Sequence, residues 1–207
     1  MAMLVALSLI LVMLINFPIL PAIPFMKYDP ADIPILIGSF LFGPMGGVIL
    51  TAIVSILQGL FISGDGGPIG IVMHFLATGT FAFIAGFIYQ RTKTKRSAVV
   101  GLICGALSMT CVMVICNLLL TPIFLGAPME KVIELLLPAI IPFNLIKATM
   151  NAAIVFFLYK PVVQILRRSH LVEKSDRQGS VYKGYVFVVG VVLVTMILFV
   201  LGYQGII

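Results

Sequence analysis

Charged residues and tryptophan are scarce in this sequence. Only 10% of the 207 residues are Asp, Glu, Lys or Arg and none is Trp, whereas 61% are hydrophobic. A soluble domain of this length needs more charge to cover its surface, so the composition excludes a soluble globule and predicts an integral membrane protein. The apolar runs are much longer than the roughly 10-residue alternating strands of a membrane β-barrel. We therefore expect an all-α transmembrane bundle that contacts the lipid bilayer.

Sequence patterns of metal sites, ATPases and common hydrolases are also missing. The chain has no HExxH pattern and no P-loop, and its three cysteines, Cys104, Cys111 and Cys116, lack the spacing of metal ligands. We expect no metal, no cofactor and no enzyme activity. The net charge of +6 comes mainly from loops and does not indicate nucleic-acid binding. No acid is expected inside the bundle, which disfavours transport driven by an ion gradient.

Apolar segments divide the chain into membrane-spanning helices. The segment from Asp32, which could cap a helix, to Ile62 is interrupted at Gly43-Pro44. It is therefore either one broken span or a short embedded helix followed by a full one. A short amphipathic connection at the membrane surface is expected within 126–138. The remaining spans are expected at 1–20, 69–90, 98–125, 140–160 and 185–203.

Basic residues orient the predicted bundle. With two separate helices in 32–62 and the RTKTKR loop (91–96) in the cytoplasm, ten Lys and Arg lie inside and two, Lys27 and Lys131, lie outside. This is the positive-inside pattern, and it places the N-terminus in the cytoplasm. We expect a membrane domain over 1–168, a polar cytoplasmic linker over 169–183 and an additional transmembrane helix over 184–207.

The predicted helix at 140–160 has one polar face. Lys147 lies within this apolar segment, where a lysine costs on the order of 3 kcal/mol. Asn144, Lys147 and Asn151 are spaced i, i+3 and i+7 and so lie on one side of the helix. The asparagines could simply hydrogen-bond neighbouring helices. An ionisable side chain at this depth, however, is typical of a functional site.

The expected orientation brings five polar residues to one depth. Asn16 and Asn117 lie near the outer ends of helices that run outward, while His74, Asn144 and Lys147 lie near the outer ends of helices that run inward. This convergence predicts a pocket open to the outside. His74 could instead be a neutral imidazole bonded to a carbonyl group, and Asn16 could bond only the backbone near the prolines that follow it.

Four stretches of the chain resemble one family of membrane proteins. They are KYDPADIPILIGSFLFGPMGGVI (27–49), SGDGGP (63–68), ICNLLLTPIFLG (115–126) and IIPFNLIK (140–147). Together they resemble the riboflavin-specific substrate-binding (S) subunit of energy-coupling-factor (ECF) transporters, over about residues 1–168. The resemblance implies a six-helix bundle in the plasma membrane of a prokaryote, with a high-affinity vitamin pocket near the outer surface. The apolar run at 185–203 would add a seventh helix.

The resemblance also implies partners. The S subunit of this family works with a transmembrane scaffold subunit and two cytoplasmic ATPases, which supply the energy for uptake. Small residues of the first helix meet the scaffold in that family, and Ala2 and Ala6 match those positions.

The same resemblance implies which residues contact riboflavin. Asparagine can donate and accept hydrogen bonds along the ring edge or the ribityl chain, and lysine can donate them. The loop at 27–30 would close over the vitamin. We also expect Asp29 to pair with Lys147 in the empty protein, because an unpaired buried ammonium is costly. The expected binding residues are Tyr28, Asp29, His74, Asn117, Asn144 and Lys147.

Other functions stay open at this point. The chain could be an S subunit for thiamine or biotin, although the missing Trp and the Asn-x-x-Lys pattern argue against these vitamins. It could also be a stand-alone secondary transporter or channel, which would need an ion dependence or a polar path through the inner half of the bundle. A membrane enzyme with Lys147 or His74 as a base would have to show turnover.

Overall fold

The computed structural model of the chain is almost entirely helical. It describes residues 1–19, 26–62, 67–125 and 128–168, without the side chains of 123–125 and 163–168. The linker expected at 169–183 and the helix expected at 184–207 lie outside the described residues. The helices are α1 (Ala2–Leu14), α2 (Asp32–Phe42), α3 (Pro44–Phe61), α4 (Gly67–Thr92), α5 (Lys95–Leu125), α6 (Met129–Leu135) and α7 (Ile141–Arg168), with a π-helical turn at Leu136–Ile140.

Within the described residues, four helical segments are long and apolar enough to cross a membrane. They are Pro44–Phe61, Gly67–Thr92, Lys95–Pro122 and Met129–Val162. Helices α1 and α2 are also apolar but have only 13 and 11 residues. Large apolar side chains such as Leu60, Phe61 and Leu119 are exposed on the outside of the bundle, as expected for a surface that faces lipid. The described chain therefore has the composition and helix lengths of a membrane protein.

Residues 32–62 form two separate helices, as one of the two sequence alternatives predicted. Gly43 separates them with a φ of +86°, a left-handed conformation that only glycine adopts without strain. Pro44 is the first residue of α3, where its fixed φ fits a helix and its missing N–H is not needed.

The first helix is shorter than predicted. Helix α1 ends at Leu14 instead of continuing to residue 20. Phe17–Pro18 (β1) then pairs with Lys27–Tyr28 (β2) in a small antiparallel ladder. Pro18 explains the difference, because it has no N–H to donate and disfavours helical geometry at Phe17.

The last described helix is longer than predicted. Helix α6 continues through the π-helical turn into α7 without a loop. The segment expected to be a surface connection is therefore helical and continuous with α7. Val132 of α6 is buried and Lys131 is exposed, in keeping with an amphipathic segment. At its other end α7 continues past Pro161 to Arg168, so the predicted end at Lys160-Pro161 is wrong. A proline removes one helical hydrogen bond, and a membrane helix tolerates this loss.

Helix α2 lies at the centre of the bundle. Its residues from Asp32 to Phe40 are all buried, and it packs against α1, α3, α4 and α7. The Ser39 hydroxyl donates a hydrogen bond to the carbonyl of Ala82 on α4. This close approach requires Gly86, because a Cβ there would overlap Ser39 Oγ and lie 3.2 Å from the Pro44 Cα.

Three aromatic side chains fill one end of the bundle. The Phe40 ring stacks on the Tyr89 ring at a centroid distance of 4.4 Å, and both meet the edge of Tyr159 at 5.8 and 5.9 Å. All three are buried. Gln90 Nε2 donates to the Phe40 carbonyl at 2.9 Å, near the C-terminal end of α2. This aromatic cluster joins the C-terminal parts of α2 and α4 to α7.

We expect Gly86→Ala to destabilise the bundle by about 1–3 kcal/mol, because the added methyl group overlaps Ser39 and approaches the α2–α3 backbone. Thermal unfolding of the detergent-purified protein measures the effect. Gly79→Ala is the matched control in the same helix, since its Cβ would lie 4.0 Å from its nearest neighbours, Phe75 and Thr51. Equal unfolding temperatures for the two variants would contradict this account of the α2–α4 contact.

Candidate substrate-binding site

A cavity of about 290 Å³ lies between the C-terminal parts of α3 and α5, the N-terminal parts of α4 and α7, and the chain around β2. These helix ends are opposite to those that carry the aromatic cluster. The volume is at the lower end of the range of small-molecule pockets, roughly 300–1,000 Å³. Apolar side chains such as Met109, Met113 and Phe143 line it together with eleven polar or charged residues. This mixed lining suits a ligand that has an apolar body and several polar groups.

The five polar residues expected to converge do so. Asn16, His74, Asn117, Asn144 and Lys147 all line the cavity. Their convergence is confirmed, while their contacts with a ligand stay a prediction. Two of the amides are already oriented by their own helices, since Asn117 Nδ2 donates to the Met113 carbonyl at 2.8 Å and Asn144 Nδ2 donates to the Ile140 carbonyl at 2.7 Å.

Lys147 forms a buried ion pair with Asp29. Lys147 Nζ lies 2.9 Å from Asp29 Oδ2, and the two side chains are only 8% and 10% exposed. Asp29 Oδ1 accepts a hydrogen bond from the Ala31 N–H at 3.3 Å. The pairing predicted from the cost of a buried ammonium is confirmed, and it ties the loop after β2 to α7.

A second chain of hydrogen bonds starts from the same loop. The Tyr28 hydroxyl donates to Asn151 Oδ1 at 2.8 Å, and Asn151 Nδ2 donates to Asp32 Oδ2 at 2.9 Å. Burial raises the pKa of the Tyr28 hydroxyl above its usual range, and the charge of Asp32 raises it further, so the hydroxyl stays a donor at neutral pH. Tyr28 does not line the cavity. Its contact with a ligand stays a prediction. Its observed hydrogen bond to Asn151 holds β2 against α7.

The position of Asp32 contradicts two expectations from the sequence. Its side chain does not cap α2, whose N-cap is Ala31, and it is fully buried inside the bundle. Asp32 lies on the same helix face as Ile35 and Ser39, and this face packs on the other helices. There Thr78 Oγ1 donates to Asp32 Oδ1 at 2.8 Å, in addition to the bond from Asn151. Asp32 is thus an acid inside the bundle. The argument against transport driven by an ion gradient, which assumed that the interior contains no acid, therefore does not hold.

His74 contacts side chains and not the backbone carbonyl that one interpretation expected. Its Nδ1 lies 2.7 Å from Ser55 Oγ, and its Nε2 lies 3.4 Å from Asp32 Oδ1 without a hydrogen-bond partner. Ligand atoms of Asp29, Asp32 and His74 lie within 4.8 Å of one another, close enough to surround a metal ion. The Lys147 ammonium already supplies positive charge there, and a cation would have to displace it.

Comparison with known proteins identifies the family. A family model for the substrate-specific component of ECF transporters matches residues 1–159. The chain belongs to this family. It is therefore a membrane transport subunit and not an enzyme.

Individual relatives of this S component are bacterial. The riboflavin transporter RibU of Staphylococcus aureus (strain TCH60) is 32% identical over 160 residues, which cover 74% of this chain and 84% of that protein. The riboflavin transporter FmnP of Bacillus subtilis (strain 168) is 32% identical over 172 residues, which cover 77% and 90%. A solved S component of a bacterial ECF transporter superposes with a TM-score of 0.65 at 32% identity, covering 80% of this chain and 94% of that one.

Several polar residues of the S-component site were not anticipated from the sequence. Ser55 and Gln58 are spaced i, i+3 on α3, and His74 and Thr78 are spaced i, i+4 on α4, so each pair shares one helix face. This spacing of polar residues within otherwise apolar helices is the sequence pattern that could have identified them as site residues. All four line the cavity, and His74 is the one among them that was expected there.

The two alanines expected at a partner interface lie away from the cavity. Ala2 and Ala6 are exposed on α1, on the opposite side of the helix from its buried residues Leu4, Val5 and Ser8. Their exposure leaves this face of α1 available to another protein or to lipid.

We expect Asp29→Asn to destabilise the ligand-free S component by about 3 kcal/mol, because it leaves the buried Lys147 ammonium without its nearest counter-charge. Lys147→Met should also destabilise it, by leaving the Asp29 carboxylate unpaired. The double variant Asp29→Asn/Lys147→Met should recover much of the loss, because neither charge is then buried alone. Thermal unfolding of all four proteins completes the cycle, and strictly additive losses would show that the two residues do not interact.

Proposed function

We propose that this S component is a high-affinity riboflavin-binding subunit that captures the vitamin from outside the cell. The observation that supports the proposal is the cavity, where Asn117, Asn144 and Lys147 meet apolar side chains from α4, α5 and α7. Two relatives named as riboflavin transporters, each aligned with about three quarters of the chain, support the choice of ligand.

The chemistry of riboflavin suits these residues. Its isoalloxazine ring is planar and largely apolar, and can pack against Met109, Met113 and Phe143. The pyrimidine edge of the ring carries both donors and acceptors. Asparagine amides can satisfy both, while a lysine ammonium can satisfy acceptors only. We infer that Asn117, Asn144 and Lys147 bind this edge or the ribityl chain, and that His74, Tyr28 and Asp29 complete the site.

We further propose a bundle of six helices embedded in the membrane, α1 to α5 and α7, with the N-terminus in the cytoplasm. The excess of basic residues in 91–96 and after residue 159 supports this orientation. In this arrangement the cavity faces outward and the aromatic cluster faces inward. Residues 169–183 would form a cytoplasmic linker, and 184–207 a seventh transmembrane helix. The protein would lie in the plasma membrane of a bacterium.

The proposed transport step needs an energy-coupling module. The chain has no P-loop, and the aromatic cluster Phe40, Tyr89 and Tyr159 fills the end of the bundle opposite the cavity. The vitamin would therefore have to leave by the way it entered, after a partner had moved the subunit. We propose that a transmembrane scaffold subunit and two ATPases do this. The exposed face of α1 with Ala2 and Ala6 is available to the scaffold.

We expect detergent-purified protein, freed of ligand, to quench riboflavin fluorescence with one-to-one stoichiometry. Lys147→Ala should weaken binding by about tenfold or more, because it removes a charged donor at the site. Lys131→Ala is the matched control, since this lysine is exposed on α6 and does not line the cavity. Absence of quenching in folded, ligand-free wild-type protein would refute the choice of riboflavin, and thiamine and biotin would be titrated next.

A stand-alone proton-coupled carrier is the second candidate, and the buried contact between Asp32 and His74 favours it. Liposomes containing only this chain and an imposed pH gradient distinguish the two functions. We expect no accumulation of riboflavin inside them, because no energy-coupling module is present. Accumulation that a protonophore abolished would favour the carrier instead.

A further inference from the structure

Gln58 is a buried polar residue whose side chain has no hydrogen-bond partner among the described residues. It lies on α3, lines the cavity and is only 7% exposed. Its Oε1 atom is enclosed and accepts no hydrogen bond, and no hydrogen bond of its side chain occurs among the residues that the structure describes. Buried amide groups are nearly always hydrogen-bonded in folded proteins, so an unpaired one beside a cavity requires an explanation.

The neighbouring polar residues of α3 cannot supply the missing partner. Thr51, Ser55 and Gln58 are spaced i, i+4 and i+7 along one side of the helix. Thr51 Oγ1 donates to the Gly47 carbonyl at 2.8 Å. Ser55 Oγ lies 2.7 Å from His74 Nδ1 and is engaged there. The groups on this side of α3 are therefore already paired, and the remaining open space beside Gln58 is the cavity.

We propose that Gln58 determines part of the ligand specificity by hydrogen-bonding a hydroxyl group of the bound molecule. A hydroxyl can accept from Nε2, and after rotation of the terminal amide, which exchanges the positions of Nε2 and the enclosed Oε1, it can donate to Oε1, so it matches both atoms of the amide. On the proposed function, on which this inference rests, the hydroxyl belongs to the ribityl chain of riboflavin. We assign the ring edge to Asn117, Asn144 and Lys147 on α5 and α7, and the ribityl chain to the side of the cavity that α3 forms.

Gln58→Met tests the proposal, because methionine has a similar length and no hydrogen-bonding group. We expect the variant to bind riboflavin about 3- to 10-fold more weakly. Its affinity for lumiflavin, which has a methyl group in place of the ribityl chain, should not change. The unfolding temperature of the ligand-free variant should equal or exceed that of the wild type, because an unpaired buried amide has been removed.

Gln90→Met is the matched control. Gln90 donates a hydrogen bond to the Phe40 carbonyl at the other end of the bundle and does not line the cavity. This variant should lower the unfolding temperature and leave both flavin affinities unchanged. Gln58→Leu provides a second variant at the site if Gln58→Met does not fold.

The affinity and unfolding measurements distinguish an error in the role of Gln58 from an error in the proposed function. Unchanged riboflavin affinity in the Gln58 variants would overturn the proposal, and so would an equal loss of riboflavin and lumiflavin binding, which would place the contact at the ring. A lower unfolding temperature without ligand, together with weaker binding of both flavins, would indicate a structural role for Gln58. A wild-type protein that binds neither flavin would instead refute the proposed function.

Discussion

A lysine ammonium inside an apolar bundle requires a counter-charge, and much of this structure follows from that requirement. Lys147 could not be buried on α7 without the carboxylate of Asp29, which reaches it from the loop after β2. The pair fixes this loop against the end of the bundle. Tyr28, directly before this loop, donates a hydrogen bond to Asn151, which lies one helical turn after Lys147 on α7. One electrostatic constraint therefore positions both the charged group of the cavity and the loop beside it.

Asp32 extends the network from the loop into the centre of the fold. Its carboxylate accepts hydrogen bonds from Thr78 on α4 and Asn151 on α7, and it lies 3.4 Å from His74 Nε2. Three helices are thus connected through one buried acid, which would be costly without these donors. Because Asn151 also accepts from Tyr28, the loop and the helix core share one set of hydrogen bonds. A ligand that moved the loop would therefore also change the packing of α2, α4 and α7.

The sequence predicted the features that depend on short spacings and on composition. The polar face of α7 and the break at Gly43-Pro44 follow from local rules. The ion pair of Lys147 with Asp29 joins residues 118 apart, and it was expected from the cost of a buried ammonium and from the family resemblance. The buried position of Asp32 does not, because an acid at the start of a predicted helix looks like a cap. Only the packing of α4 and α7 shows that its donors are Thr78 and Asn151. Likewise, the short ladder that follows α1 pairs Phe17 with Tyr28 and Pro18 with Lys27, a pairing that helix patterns cannot indicate.

The aromatic cluster also bears on the energetics of the host membrane. A cell that opens a polar cavity to its surroundings risks a leak of protons and small ions, which would dissipate the membrane potential. Phe40, Tyr89 and Tyr159 are buried and in contact at the opposite end of the bundle. Water crosses a dry, tightly packed aromatic layer poorly, and ions that need a hydration shell cross it still less readily. In the proposed orientation these three rings form an insulating layer beneath the cavity.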